Sequence, residues 1–222
     1  MSQALKTILI ADDEASVTSV LQRVVTRLGY EVAGIAKDGP EALTLVRSKK
    51  PNVALMDIHM PGMDGLEVTR LLLPLETTGV VIITADPEPA PARKAMDLGA
   101  CGYILKPFDV NAIGPIMEAA WHRFLTMKDM REESRTLVEA LETRKLMERA
   151  KGVLMKQRGM QEAIAHRSLQ QMSQDHGISL KEACRIVIEG SPEGPPLKNR
   201  AVFVRQVAAE VQRHRLTDSP KS

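Results

Sequence analysis

The first half of the chain alternates short, β-branched apolar runs with longer stretches of helical periodicity. The runs end near Asp12, Ile35, Asp57, Thr84 and Leu105, and each is followed by turn residues and then a helix-like segment. Strands separated by helix-length segments predict βαβ units and a parallel sheet. Helix starts are marked by Gly39-Pro40 ahead of EALTLVR, by Asp64 with Glu67 three residues on, and by Asp109 ahead of VNAIGPIMEAA. Pro74 predicts the stop of the third helix.

The second half is patterned for helices alone. After Pro115 no proline interrupts the chain to about Met155, so the helix opening at Asp109 is expected to continue as a long connector. Met130, Leu137 and Leu141 fall on one stripe of it, a short seam suited to pairing with a second chain. Further on the apolar face rotates to Leu146, Ala150, Val153 and Leu154, and the opposite arc carries Arg144, Lys145, Arg149, Lys151, Lys156 and Arg158. Gly159 predicts a stop, followed by a second amphipathic helix around Ile164, Ala165, Leu169 and Met172 that ends at Gly177. Ser179 with Glu182 forms a capping box for a third helix. SPEGPP reads as a linker, Phe203, Val207 and Val211 as one face of an extra helix, and DSPKS as a disordered tail.

Length and composition narrow the class without naming a function. At 222 residues the chain suits a core-forming domain with a smaller partner. No apolar run approaches the roughly 20 residues that cross a bilayer, so no membrane association is expected. The opening MSQALKTILIADDE lacks the regions of a secretory signal, and a cytoplasmic location is expected. Cys101 and Cys184 stand far apart and read as buried free thiols. The net charge of +2 conceals an asymmetry: residues 1–123 hold 12 basic and 15 acidic residues, residues 124–222 hold 18 and 13. A mildly acidic first half followed by a basic second half suits a regulatory domain joined to a polyanion-binding one.

In open parallel sheets, ligands bind at the carboxyl ends of the strands. Here those ends are acidic. Asp12 and Asp13 follow the first run and Asp57 ends the third, so three carboxylates are expected to converge and to need a cation. Hard oxygen ligands that leave room for water suit Mg²⁺. Thr84 and Lys106 bring a hydroxyl and an ammonium to the same rim. Together these make a site for phosphoryl transfer onto Asp57. Any one of the aspartates alone would more readily be read as a turn or helix cap, and Lys106 alone as a surface lysine. The five at successive strand ends favour the joint reading.

ILIADDE, MDIHMPGMDG, IITAD and GYILKPF resemble the receiver domain of two-component response regulators, over about residues 5 to 123. The resemblance implies a flavodoxin-like, doubly wound (βα)5 fold in which Asp57 accepts phosphate from a cognate sensor histidine kinase. It further implies that Asp13, Asp57 and the backbone carbonyl of His59 hold Mg²⁺, with Asp12 assisting through water, and that Thr84 and Lys106 bind the phosphoryl oxygens. Tyr103 matches an aromatic position that moves inward as Thr84 shifts, though plain packing accounts for it equally, and Lys106-Pro107 resembles the family's cis peptide. The chain departs from the pattern at DPEPAPARKAM, where Pro87, Pro89 and Pro91 are expected to shorten or reshape the fourth helix.

The segment from about 137 to 189 looks like the ANTAR domain of transcription antitermination regulators, above all in the run from Arg144 to Met155. That resemblance implies binding, as a dimer, to RNA with paired hairpins, so that a terminator does not form. RNA contact is carried over to Arg144, Arg149 and Lys151. Lys156 and Arg158 are added on the basic face alone, while Ala150, Gly152 and Met155 are read as packing positions. On charge pattern alone a solvated helix surface explains the basic arc at least as well. The expected organisation is α/β followed by all-α: receiver 1–123, helical connector 124–136, a small three-helix RNA-binding bundle 137–189, and a linker, extra helix and tail over 190–222. The leading expectation is a phosphorylation-promoted homodimer that is not an enzyme. The alternative is a phosphorylation-dependent regulator whose bundle binds a protein and not RNA.

Overall fold

The computed structural model of the chain describes residues 6–190. The linker, extra helix and tail expected after Gly190 lie outside the described residues. Two compact units meet between Glu132 and Glu133.

The first unit runs β1 (Thr7–Ala11), α1 (Ala15–Arg27), β2 (Glu31–Ala36), α2 (Gly39–Lys49), β3 (Val53–Asp57), α3 (Gly65–Leu72), β4 (Gly79–Thr84), α4 (Pro89–Asp97) and β5 (Gly102–Leu105), then enters α5 (Val110–Arg158). All strand pairs are parallel, in the order β2-β1-β3-β4-β5. That is the flavodoxin-like order, with its topological switch between β1 and β3.

Strand periodicity sorts the core into two layers, since successive side chains point to opposite faces. Ile8, Ile10, Val53, Leu55, Val81 and Ile83 meet Leu21, Val24 and Val25 of α1 and Ile113, Met117 and Trp121 of α5. Their alternates Leu9, Ala54, Met56, Val80 and Ile82 meet Ala42 and Val46 of α2, Leu66, Val68 and Leu72 of α3, and Ala95 of α4. With both faces covered, the central strands read as continuous apolar runs.

Helix boundaries follow local chemistry. Asp38 caps α2 by accepting the Glu41 amide at 2.8 Å, and Asp64 caps α3 by accepting that of Glu67 at 2.6 Å. Pro74 sits in a short 3-10 turn, Leu73–Leu75, just past α3. The proline-rich segment yields a helix of nine residues that begins at Pro89. The Lys106-Pro107 peptide is cis.

The second unit contains the later turns of α5, then α6 (Glu162–His176) and α7 (Leu180–Glu189). Its core joins Ala150 and Leu154 of α5 to Ala165, Leu169 and Met172 of α6 and Ala183, Cys184 and Val187 of α7. Gly159 and Gly177 take positive φ where the chain leaves α5 and α6, and Ser179 caps α7 through the Glu182 amide. Both cysteines are free and buried. Among the described residues no helix is long and apolar enough to cross a membrane.

One glycine ties the fold to the strand ends. A Cβ on Gly65 would lie 2.0 Å from the carbonyl oxygen of Asp57, so α3 starts flush against the end of β3 only because nothing projects there. We expect Gly65→Ala to destabilise the protein by about 1–3 kcal/mol, as overpacking against backbone does, with the shift read from urea unfolding. An unchanged midpoint would contradict that tight approach.

Candidate functional site

The carboxyl ends of β1 and β3 are neighbours, with Ala11 paired to Met56. Asp12 and Asp57 therefore emerge side by side, and both are buried. Between them lies the Lys106 ammonium, delivered from the end of β5. Its Nζ is 2.7 Å from Asp12 Oδ2, 2.9 Å from Asp57 Oδ1 and 3.3 Å from Glu14 Oε1. The backbone fixes the other carboxylate oxygens. Asp57 Oδ2 accepts the His59 amide at 2.6 Å, and Asp12 Oδ1 accepts that of Glu14 at 3.0 Å. Thr84 is buried at the end of β4, its hydroxyl accepting the Asp86 amide at 3.0 Å, which leaves the hydroxyl proton to donate elsewhere.

Two buried anions beside one cation set the electrostatics. Burial pushes the Asp12 carboxyl up, an effect that Lys106 and the Glu14 amide only partly offset, and Asp57 adds to it. Asp12 and Asp57 hold Lys106 protonated well above the ordinary lysine range despite the opposing effect of burial. The site thus retains an excess of negative charge in a partly desolvated pocket.

Not every expected ligand is drawn in. Asp13 is exposed beside the pair, and among the described residues no three His, Cys, Asp or Glu side chains form a ready metal cage. The donors present still fit Mg²⁺, which keeps several waters and needs only one or two carboxylates from the protein. The His59 side chain is exposed at the rim. Tyr103 is 52% exposed on β5. Glu14 was not legible as a participant, because an acidic residue after two aspartates has no periodicity to betray the lysine it meets.

The basic residues of the second unit separate into two groups. Arg144, Lys145, Arg149 and Lys156 are exposed on α5, and Arg158 is half-buried. Lys151 is only 7% exposed. Its Nζ sits 2.8 Å from Glu148 Oε1 and 2.7 Å from Glu162 Oε1 on α6. Glu148 foremost, then Glu162, hold this ammonium above its usual range, and Lys151 in turn holds the Glu162 carboxyl low. Helical spacing explains the difference: Lys151 shares a face with Met147 and Leu154, the edge of the apolar stripe, where α6 packs. Of the three positions expected to serve packing, Ala150 does so, whereas Gly152 and Met155 face solvent. Met130, Leu137, Val138 and Leu141 are exposed along α5.

Comparison with known proteins agrees with both units. Residues 8–118 match the family model of the response regulator receiver domain, and residues 135–188 match that of the ANTAR domain. The chain is 36% identical over 188 residues to the transcriptional regulatory protein PdtaR of Mycobacterium tuberculosis, covering 84% of this chain and 92% of that protein. It is 34% identical over 109 residues to the chemotaxis protein CheY of Thermotoga maritima, covering 49% of this chain and 91% of that one. Among solved structures, a two-component response regulator of the LuxR family from Aurantimonas superposes with a TM-score of 0.51 at 31% identity, covering 54% of this chain and 86% of that chain.

Removing the ammonium tests the electrostatic description. In metal-free buffer, Lys106→Met should cost about 3 kcal/mol near neutral pH, the usual penalty for stranding buried charges. Asp12 already has a raised pKa in the folded state, and without Lys106 it rises further, so the folded state binds protons more readily than the unfolded one. The deficit therefore grows as pH rises past about 4 and shrinks below it. Urea unfolding across that range checks this, and a pH-independent deficit would contradict it.

Proposed function

The chain belongs to the response regulators that carry a receiver domain followed by an ANTAR domain, and on that premise we propose that Asp57 takes phosphate from a cognate histidine kinase and that the ANTAR unit then binds RNA hairpins and prevents transcription termination. The observation that carries the first step is the Asp57 carboxylate held from both sides, by the His59 amide on one oxygen and Lys106 on the other. Such a nucleophile is oriented before its partner arrives. As the phosphoryl group moves from the kinase's histidine to an Asp57 oxygen, Lys106 offsets the charge on the transferred oxygens and Thr84 donates its hydroxyl proton to one of them. Asp13, Asp57 and the His59 carbonyl are the ligands we assign to Mg²⁺, with Asp12 assisting through water, and the ion when bound would supply further neutralisation of the incoming phosphate. Tyr103 turns inward as Thr84 leaves the Asp86 amide. The site keeps its phosphate for a time and releases it slowly by hydrolysis, without turnover of an outside substrate.

The output step rests on the exposed arc of α5. Arg144, Arg149, Lys156 and Arg158 supply phosphate contacts, and Lys151 serves the same surface from beneath by holding Glu148 and Glu162. The exposed stripe of Met130, Leu137, Val138 and Leu141 pairs with a second copy once Asp57 is phosphorylated, which presents two basic arcs to one RNA. The protein acts in the cytoplasm, where kinase, transcript and RNA polymerase meet.

Asp57→Asn should abolish labelling by a small-molecule phosphodonor with little loss of fold, as read by phosphate-affinity electrophoresis; undiminished labelling would place the acceptor elsewhere. Arg149→Ala should weaken RNA-hairpin binding and flatten its dependence on salt by about one phosphate contact. An unchanged salt slope would remove Arg149 from the interface. Leu137→Lys with Leu141→Lys should keep the phosphorylated protein monomeric by light scattering, and a persisting dimer would contradict the pairing seam.

A further inference from the structure

Glu14 stands at the N-cap of α1 and does not cap it. Its backbone is extended and its carbonyl accepts the Thr18 amide at 3.1 Å, but its side chain makes no capping hydrogen bond. Short polar side chains, those of Ser, Thr, Asp and Asn, fill that role at other helix starts. The Glu14 carboxylate crosses instead to the end of β5, where its Oε1 accepts a hydrogen bond from Lys106 Nζ at 3.3 Å. Neither the start of α1 nor core packing accounts for that reach, since the side chain is 58% exposed.

An ammonium has three N–H groups, and Lys106 faces three carboxylates, so no donor is left over for a further anion. The three contacts are unequal. Asp12 Oδ2 and Asp57 Oδ1 lie at 2.7 and 2.9 Å, and their side chains are 0% and 6% exposed, whereas Glu14 makes the longest contact from the most solvated position. A solvent-exposed ion pair is weak, while breaking a buried one strands a charge. Glu14 is therefore the partner that Lys106 gives up most readily, and once released its carboxylate has water to return to. What it offers the ammonium, an anionic oxygen acceptor, is also what a phosphoryl group offers.

We propose that Glu14 is a placeholder for a phosphoryl oxygen: it occupies the third N–H of Lys106 while Asp57 is unphosphorylated and is displaced as the phosphoryl group arrives. The assignment rests on the reading of Asp57 as phosphoacceptor and adds to it a residue that sets which donors enter. Glu14 is a positioning residue, acting through Lys106 without touching the reacting atoms. As the bond between phosphorus and an Asp57 oxygen forms, the bond from phosphorus to the donor breaks and its electron pair leaves with the donor. No proton moves at Glu14, and Lys106 exchanges one anionic acceptor for another. A free small phosphodonor has to pass and displace this carboxylate unaided, against a repulsion that grows with the donor's own charge. A phosphohistidine presented by a docked kinase draws on protein contacts elsewhere to do so. Glu14 thus biases the site towards the kinase and against free phosphorylated anions.

The test uses the full-length protein with Mg²⁺ and two small phosphodonors of different charge, the dianion acetyl phosphate and the monoanion phosphoramidate. Glu14→Gln removes the charge at constant length, and Glu14→Ser removes the contact while supplying a better N-cap for α1. Acetyl phosphate should label both variants about three- to tenfold faster than wild type, through a lower half-saturating donor concentration and not a higher limiting rate, and phosphoramidate should show a smaller gain. In the metal-free protein the nitrogen resonance of the Lys106 ammonium should shift in both variants. Acetyl phosphate labelling that is unchanged or slower in both variants overturns the proposal while leaving Asp57 as acceptor. An equal gain with the two donors overturns it by removing the part played by charge, and an unmoved Lys106 resonance overturns it by removing the contact. A lowered thermal midpoint in Glu14→Ser with slower labelling overturns it by giving Glu14 a role at the helix start. Failure of either donor to label the wild type removes the reading on which the proposal stands, and the proposal with it.

Discussion

The receiver unit depends on one ammonium group between two buried carboxylates. Adjacent parallel strands deliver Asp12 and Asp57 to the same place, and two anions so close in a desolvated setting repel unless a cation separates them. Lys106, arriving from the far strand of the sheet's β3-β4-β5 half, supplies that cation. One positive charge against two buried negative ones, with a third carboxylate from Glu14 at the edge, leaves the site short of positive charge. The donors of the pocket fit a divalent cation, and the His59 amide and Lys106 hold the two oxygens of the Asp57 carboxylate in place. The same excess of negative charge that makes the pocket costly to fold is what a cation would offset.

The output unit solves a smaller version of that problem in the opposite sense. Its exposed arc is basic, and acids on neighbouring positions would weaken its field. Lys151, withdrawn into the joint between α5 and α6, draws Glu148 and Glu162 to itself. A residue of the same charge and on the same helix as Arg149 thus acts beneath the surface, joining two helices through Glu148 and Glu162. Gly152, next to it in sequence, is exposed among the described residues.

Much of the first unit was legible in the sequence because period-2 burial, turn residues and strand ends all agree on it. Asp12, Asp57, Thr84 and Lys106 were readable as a group since parallel strands bring their carboxyl ends to one rim whatever the side-chain details. What the sequence could not show was the allocation of partners within the rim: that Asp13 points to solvent, that Glu14 joins the lysine, and that the His59 amide is what pins Asp57. These depend on how the chain turns in the few residues after each strand. On α5 the limit was angular. Lys151 lies one position from Ala150, at the seam between the apolar and basic faces, and only the packing of α6 decides to which face it belongs. Gly152 and Met155 were assigned to packing because a glycine and a methionine in an amphipathic run resemble core, and open space around them is visible only in three dimensions.

The central claim is that a phosphate on Asp57 and an RNA on α5 act on one another through a single chain. The direct measurement is the affinity of the full-length protein for its selected RNA stem-loop with Asp57 unphosphorylated and fully phosphorylated, at fixed salt and protein concentration. Severalfold tighter binding in the phosphorylated form, absent in Asp57→Asn, is the predicted result. Identical affinities in the two states would show that the receiver does not govern the RNA-binding unit.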